Sequence, residues 1–135
     1  MSQENVELVR RAIEAFNRRD LRALAEFMHD DFEFVSVLTA VDAESATYRG
    51  SDAWTAYFAD MDQTWKDWHA EDPQIFDAGE NRVACLFRLV GTGRYSDAAV
   101  ERAAGLAYYV RDGKLWRMRS YMDPTDALRA VGLRE

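Results

Sequence analysis

Residues 100–122, VERAAGLAYYVRDGKLWRMRSYM, hold two alternating runs, Val100 to Val110 and Leu115 to Met122, on either side of Asp112-Gly113. Two such runs joined by an Asp-Gly dipeptide are a strong short-range signature of a β-hairpin. Its register decides which side chains share a face, because strand side chains alternate with period two. If Asp112-Gly113 is a two-residue turn, Arg111 pairs with Lys114, and Arg102 stands opposite Asp123 as a cross-strand ion pair. If Arg111-Asp112-Gly113 is a three-residue loop with Gly113 left-handed, the ladder shifts by one. Leu106, Tyr108, Val110, Trp116 and Met118 then form one apolar surface. Tyr109, Arg119, Tyr121 and Asp123 occupy the other, beside Ala103, Gly105 and Ala107. The shifted register is favoured, since it gathers the large apolar residues and sets small ones opposite Arg119 and Tyr121, leaving room for a ligand.

Outward from this hairpin, Gln74 to Phe76 and Arg82 to Arg94 read as further strands of an antiparallel meander, separated by Asp77-Ala78-Gly79-Glu80-Asn81. Gly91, Gly93 and Gly105 fit kinks or bulges that bend the sheet. The N-terminal half has helical spacing instead. Val6, Val9, Ile13 and Phe16 follow a Ser2 cap in a helix ending near Asn17, and Asp20 caps a second helix carrying Leu21, Leu24, Phe27 and Met28. Phe32, Phe34 and Ser36 alternate with Glu33, Val35 and Val37 as a strand, before a polar loop from Asp42 to Thr47. Trp54, Tyr57, Phe58, Met61, Trp65 and Trp68 recur by three or four and predict a third helix, with His69-Ala70-Glu71-Asp72 at its end. Thr125 caps a last helix stopped by Gly132. The expectation is an α+β fold with helices on one face of a curved antiparallel sheet, enclosing a cone-shaped interior.

The 135 residues are 48% hydrophobic and 30% charged, as expected of a single domain over 1–135. Seventeen basic against 24 acidic residues leave a net charge of −7, which repels nucleic acid and anionic headgroups. The single cysteine, Cys85, sits among Val83, Ala84, Leu86 and Phe87 and reads as core, in a reducing compartment. No run is apolar and long enough to span a membrane and no signal core is visible, so a cytoplasmic location is expected. Aromatic residues make up 13% of the chain, a surplus that suits a lined pocket or a dimer interface equally well.

Four stretches carry a resemblance that runs along essentially the whole chain. They are Glu4 to Asn17 with Arg19-Asp20, then His29-Asp30-Asp31-Phe32, then Tyr48-Arg49-Gly50, and finally Asp112-Gly113-Lys114-Leu115 through Tyr121 and Asp123 to Gly132. Their order and spacing resemble the SnoaL-like branch of the nuclear transport factor 2-like (ketosteroid-isomerase-like) superfamily. The resemblance implies a cystatin-like/ketosteroid-isomerase-like α+β barrel, a homodimer, and a mostly apolar pocket for a small organic molecule with no cofactor. The superfamily holds cyclases, isomerases, dehydratases and epoxide hydrolases beside members that only bind or assemble, so fold leaves function open.

In the cyclases that the sequence resembles, an acid/base Asp ends the last strand nine residues before the Gly closing the terminal helix, a spacing that Asp123 and Gly132 match. The chemistry implied is proton transfer beside a carbonyl, run by a carboxylate whose pKa an apolar site raises. Tyr121 or Tyr109 would donate to the enolate oxygen, and Arg119 would orient an anionic group or hold Asp123 ionised. Those cyclases carry a His where this chain has Tyr109, a weak base at neutral pH, and the second Asp of the epoxide hydrolases has no evident counterpart.

Among binding residues, Trp54 and Phe58 are candidates for the pocket wall, and Arg88 is a pocket group or an exposed strand charge. His29 with Asp30 and Asp31 reads as a solvated turn rather than a metal site. Gly91-Thr92-Gly93-Arg94-Tyr95-Ser96 resembles a phosphate loop but no helix follows it. No nucleophilic triad can be assembled. The leading reading is a small-molecule pocket protein using a carboxylate as acid/base on an apolar substrate. The alternative is a non-catalytic dimeric module whose cavity is filled by its own side chains.

Overall fold

A computed structural model describes residues 2–37 and 46–133. Helix α1 (Ser2–Arg18) buries Val9, Ala12 and Ile13, one stripe of its surface, against the sheet. Its end is tied down by Asn17, whose side-chain amide donates to the Ala70 carbonyl and accepts from the Ala70 N–H, both at 3.0 Å. Asp20 caps α2 (Leu21–Phe27) by accepting from the Ala23 N–H at 3.1 Å, as its position before the helix predicts. In β1 (Met28–Ser36), Phe32, Phe34 and Ser36 are buried in alternation. A short strand, β2 (Ala46–Arg49), replaces the end of the expected polar loop, whose positions 42–45 lie outside the described residues. The side chain of Ser2, the expected first cap, lies outside them too.

After a 3-10 turn at Gly50–Asp52, α3 (Ala53–Thr64) is shorter than its aromatic spacing predicts. Trp65 and Trp68, and the segment His69 to Asp72, belong to β3 (Trp65–Gly79). The three-to-four spacing continues past Thr64 by coincidence. Pairing of Trp65 with Gly93 and Lys66 with Thr92 outweighs the weak preference for another helical turn. Asp67 then adopts φ 55° at a bulge before pairing resumes at His69.

Strands β3, β4 (Arg82–Gly93), β5 (Ala99–Arg111) and β6 (Lys114–Tyr121) form the expected antiparallel meander. The sheet as a whole is mixed, because β1 pairs parallel to β6 in the order β2-β1-β6-β5-β4-β3. The β4–β5 ladder is unbroken from Arg82↔Tyr109 to Thr92↔Ala99, so Gly91 and Gly105 make no bulge in it. They allow close approach instead. A side chain at 105 would stand 2.6 Å from the Ala127 Cβ, and one at 91 would meet the Trp68 Cβ at 3.0 Å, beside the β3 bulge.

The last hairpin combines parts of both expected registers. Its turn has two residues, Asp112 at φ 54° and Gly113 at φ 74°, with Arg111 paired to Lys114 and Val110 to Leu115. A bulge at Trp116 then shifts the ladder, so that Tyr109 faces Arg117, Tyr108 faces Met118 and Gly105 faces Tyr121. The expected partition of faces therefore holds for Leu106, Tyr108, Val110 and Met118 against Tyr109, Arg119 and Tyr121. Trp116 is the exception. Leu115, 1% exposed, takes its place on the apolar surface, and Trp116 lies between the guanidinium groups of Arg111 and Arg117, 4.9 and 4.3 Å from its ring centre.

Helix α4 (Pro124–Ala130) corrects the expectation of helices on one face only. Leu128 and Val131 pack on Ala84 and Ala107, whereas their strand neighbours Cys85 and Tyr108 face α1 and α3. The sheet thus carries helices on both faces. The cap of α4 is Asp123, not Thr125: its carboxylate accepts from the Thr125 N–H at 2.9 Å. Gly132 at φ 90° ends the helix as expected, with Leu133 N–H bonded to Leu128 O and Gly132 N–H to Arg129 O.

Because β5 and α4 meet at a missing side chain, Gly105→Val should lower stability by about 1–3 kcal/mol, as for overpacked cores. Thermal unfolding of Gly105→Val and of Gly105→Val with Ala127→Gly checks this, with the second variant recovering part of the loss.

Candidate functional site

On the inner face of the sheet, α1, α3 and strands β1, β3, β4, β5 and β6 line a cavity of about 40 Å³, measured as the space open to the centre of a water molecule. A water needs roughly 10–15 Å³ on this measure, so the space holds about three. Phe16, Phe34, Trp54, Tyr57, Phe87 and Tyr108 supply an aromatic wall, and Leu106, Leu115, Met118 and Cys85 an aliphatic and sulfur one. Each comes from a position at which the helical or strand period points inward. Among the described residues, no charged side chain lines it.

The wall is rigid where aromatic rings interlock. Trp54 meets Phe16 edge-on at 5.7 Å, stacks on Phe32 at 5.8 Å and stands edge-on to Tyr57 at 5.8 Å. Outside this cluster, the Arg19 guanidinium sits 3.6 Å from the Trp68 ring centre and donates to the Trp68 carbonyl at 2.7 Å, while Trp68 Nε1 donates to Asp62 at 2.7 Å. Burial holds the Arg19 pKa below its usual value, opposed by the nearby Asp62 charge. These contacts lock the end of α1 to the start of β3.

The polar groups at the wall are few. The Trp54 indole Nε1, in a residue 4% exposed, has no hydrogen-bond partner among the described residues. An unpaired buried donor costs on the order of 1–3 kcal/mol. Burial raises the pKa of the Tyr57 and Tyr108 hydroxyls above the ordinary phenol range. It pushes the Cys85 thiol up to about 12, so these groups are protonated at neutral pH.

The structure does not bring the expected catalytic group to this cavity. Tyr109 and Tyr121 pack with Ala84, Ala107, Leu128 and Val131 on the opposite face, under α4, where the Tyr109 hydroxyl donates to the Ala130 carbonyl at 3.4 Å. Arg119 is exposed, its guanidinium 5.7 Å from the Tyr121 ring centre, and Asp123 is an exposed helix cap. Of the expected binding residues, Trp54 lines the cavity. Phe58 is buried behind it, against Phe16 at 5.5 Å and Trp68 at 5.7 Å. Arg88 lies in an exposed ion cluster, 2.9 Å from Glu71, 2.7 Å from Asp72 and paired with Glu101. His29 Nδ1 accepts from the Asp31 N–H at 3.0 Å and its Nε2 lies 3.4 Å from Asp112.

Tyr57, Tyr108 and Cys85 were not among the expected site residues. The signal for Tyr108 is present in the sequence, since the favoured register sets it on the apolar face, whereas room for a ligand is expected on the face with Arg119 and Tyr121.

Comparison with known proteins agrees with this geometry. The SnoaL-like domain matches residues 9–118. This chain belongs to the SnoaL-like family. No curated protein matches the sequence. Several solved structures share the fold. An NTF2-like protein from Burkholderia xenovorans is 22% identical with a TM-score of 0.76, the match covering 98% of each chain. A protein of ketosteroid-isomerase-like fold from Catenulispora acidiphila, in complex with trimethylamine, is 18% identical with a TM-score of 0.72 over 94% of this chain and 93% of that one. TerC, co-crystallised with polyporic acid, is 17% identical with a TM-score of 0.76 over 95% and 98%. At these identities the likeness is one of fold, the open cone of helices on a curved sheet.

Two predictions follow from how the SnoaL-like chain places these groups. Asp123→Ala should lower stability by about 0.5–2 kcal/mol, the usual value of an N-cap, while Asp123→Ser loses little, as measured by urea unfolding. For Cys85 and the buried tyrosines, the unfolded chain releases protons from about pH 9 and the folded chain holds them to higher pH, so stability falls as pH rises through that window. Urea midpoints between pH 8 and 11 should decline, and Cys85 should resist iodoacetamide at pH 8 until the protein unfolds.

Proposed function

We propose that this SnoaL-like protein binds a small, largely apolar organic molecule in the cavity between α1, α3 and the inner sheet face. The observation that carries the reading is an almost wholly apolar cavity wall to which Trp54 contributes, a residue whose buried indole N–H has no partner among the described residues. A chain selected only for a filled core has no use for a buried orphan donor, whereas a ligand acceptor would satisfy it. The space holds only about three waters, so a ligand larger than that displaces side chains at the wall. Met118, unbranched and with three rotatable bonds, yields most readily.

An isomerase, cyclase or hydratase with a carboxylate as acid/base needs that carboxylate at the wall. Asp123 faces away from it, so the proposal is binding without an assigned acid/base residue. The second reading, a non-catalytic module with a filled interior, draws support from the small volume of the cavity. In either reading a homodimer would use the outer sheet face, where Phe76 is 38% exposed. Sedimentation showing only a 15.5 kDa species at micromolar protein would remove that part.

Methyl NMR of the native protein titrated with methylcyclohexane and cyclohexanone tests the main reading. Expected are shifts at Leu106, Leu115 and Met118, lost in Ala12→Leu, which fills the cavity from α1 while leaving the circular dichroism unchanged. No shift with either compound favours the filled module.

A further inference from the structure

Helix α4 covers only part of the outer sheet face. The strand residues packed with it are Ala78, Ala84, Leu86, Ala107, Tyr109 and Tyr121, from β3, β4, β5 and the last position of β6. No residue of β1 or β2 is among them. In that half of the sheet Phe34, Tyr48 and Met118 are buried on the inner face, so alternation turns Glu33, Val35, Thr47, Arg49, Arg117 and Arg119 outward. Strand pairing sets these in two rows: Arg49, Glu33, Arg117 and Tyr109, then Thr47, Val35, Arg119 and Ala107. Arg111 follows Tyr109 by two residues on β5 and shares its face. Four guanidinium groups thus stand around one carboxylate, that of Glu33, which Arg49 approaches at 2.7 Å and Arg117 at 3.8 Å. Arg111 and Arg119 rest on the rings of Trp116 and Tyr121 and, among the described residues, pair with no carboxylate. Asp31 and Asp112 border the patch at its turn end, where Asp112 lies 3.4 Å from His29 and the Asp31 carbonyl accepts from Arg117 at 2.6 Å.

We propose that this outer face of β6, β1 and β2 is a docking surface for a short, extended, acidic segment of a partner protein. The chain carries a net charge of −7, so a patch where arginines outnumber acids runs against its composition and leaves the rest of the surface more negative still. A membrane or a nucleic acid reaches beyond the patch and meets that repelling remainder, whereas an acidic segment of a few residues does not. The spacing fits an extended partner. Arg117 and Arg119 are two residues apart, about 7 Å along β6, which is the repeat of alternate side chains in a strand-like chain. Carboxylates at alternate positions therefore reach both, and the intervening side chains point away. Guanidinium groups bind carboxylates through two parallel hydrogen bonds, which fixes the partner's orientation as well as its charge. Three of the four are held in advance: Arg111 and Arg117 against Trp116 at 4.9 and 4.3 Å, and Arg119 against Tyr121 at 5.7 Å. A side chain already held loses less freedom on binding than a loose one. Val35 and Thr47, the short neighbours of Arg119 in its row, keep the surface beside it shallow. Phe76 lies on β3, at the opposite edge of the sheet.

The probe is a capped peptide of alternating Glu and Ser residues, titrated at low salt into the 135-residue chain. Nitrogen-proton correlation spectra should show shifts at the Arg117 and Arg119 amides and at the Trp116 indole, assigned by its loss in Trp116→Phe, and affinity should fall as salt is raised. Arg111→Glu combined with Arg119→Glu should weaken the peptide about 10-fold or more, with the circular dichroism unchanged, since each exposed ion pair is worth roughly 3-fold and reversal adds repulsion. Arg111→Lys combined with Arg119→Lys should lose less, because the charge stays and only the paired geometry goes. Absence of binding at low salt overturns the proposal, as does binding that the charge reversal leaves intact. Tighter binding of an oligothymidylate or of phosphatidylserine vesicles than of the peptide gives the face to that class of partner and overturns it too. A fall in sedimented mass on charge reversal gives the face to a second copy of the chain, with the same consequence. If the reversed variant does not fold, Arg119→Gln alone decides, with an expected loss of about 3-fold.

Discussion

Period-two alternation along β5 divides the molecule. Leu106 and Tyr108 face the cavity, while Gly105 and Ala107 face α4, and everything assigned to either side depends on this one strand keeping its phase. The phase is enforced from both directions. Ala127 approaches position 105 so closely that only glycine fits, and the cavity face needs the large residues at 106 and 108 to close the cone. A slip by one residue would bury Gly105 and Ala107 in the cone and drive Leu106 and Tyr108 into α4.

Strand β6 must obey the same division although its turn starts it in the opposite phase. The two-residue Asp112-Gly113 turn pairs Val110 with Leu115, and one extra residue at Trp116 then brings Met118 back beside Tyr108. The bulge serves both needs. It lets a tight turn with both central residues at positive φ join β5 to a strand whose inward residues, Leu115 and Met118, lie three apart, and it leaves Trp116, the extra residue, off the cavity face. The expelled ring is covered by two guanidinium groups, which reduces the cost of leaving it outside the core.

Much of this was legible in the sequence. The meander, the Asp20 cap, the Gly132 stop and the two-faced last hairpin follow from local chemistry, and the order of elements follows with them. What was not legible came from competition between distant segments. The helical spacing of Trp65 and Trp68 gives no hint that β4 will pair with them, and nothing local marks β1 as the parallel neighbour of β6. The expected site residues and the cavity part company for a related reason. Asp123 before Pro124-Thr125 has the sequence of a helix N-cap as well as that of a strand-terminal acid, and the cap explains the carboxylate fully. The face richest in polar residues looked like the pocket, yet here it is the face that α4 covers.

The most direct measurement of the central claim is the position of xenon in crystals of the protein pressurised with the gas, since xenon occupies dry apolar cavities without needing a polar partner. Density among Trp54, Tyr108 and Met118 is the predicted result. Xenon found only on the outer face, beside Tyr121 and Asp123, would contradict it.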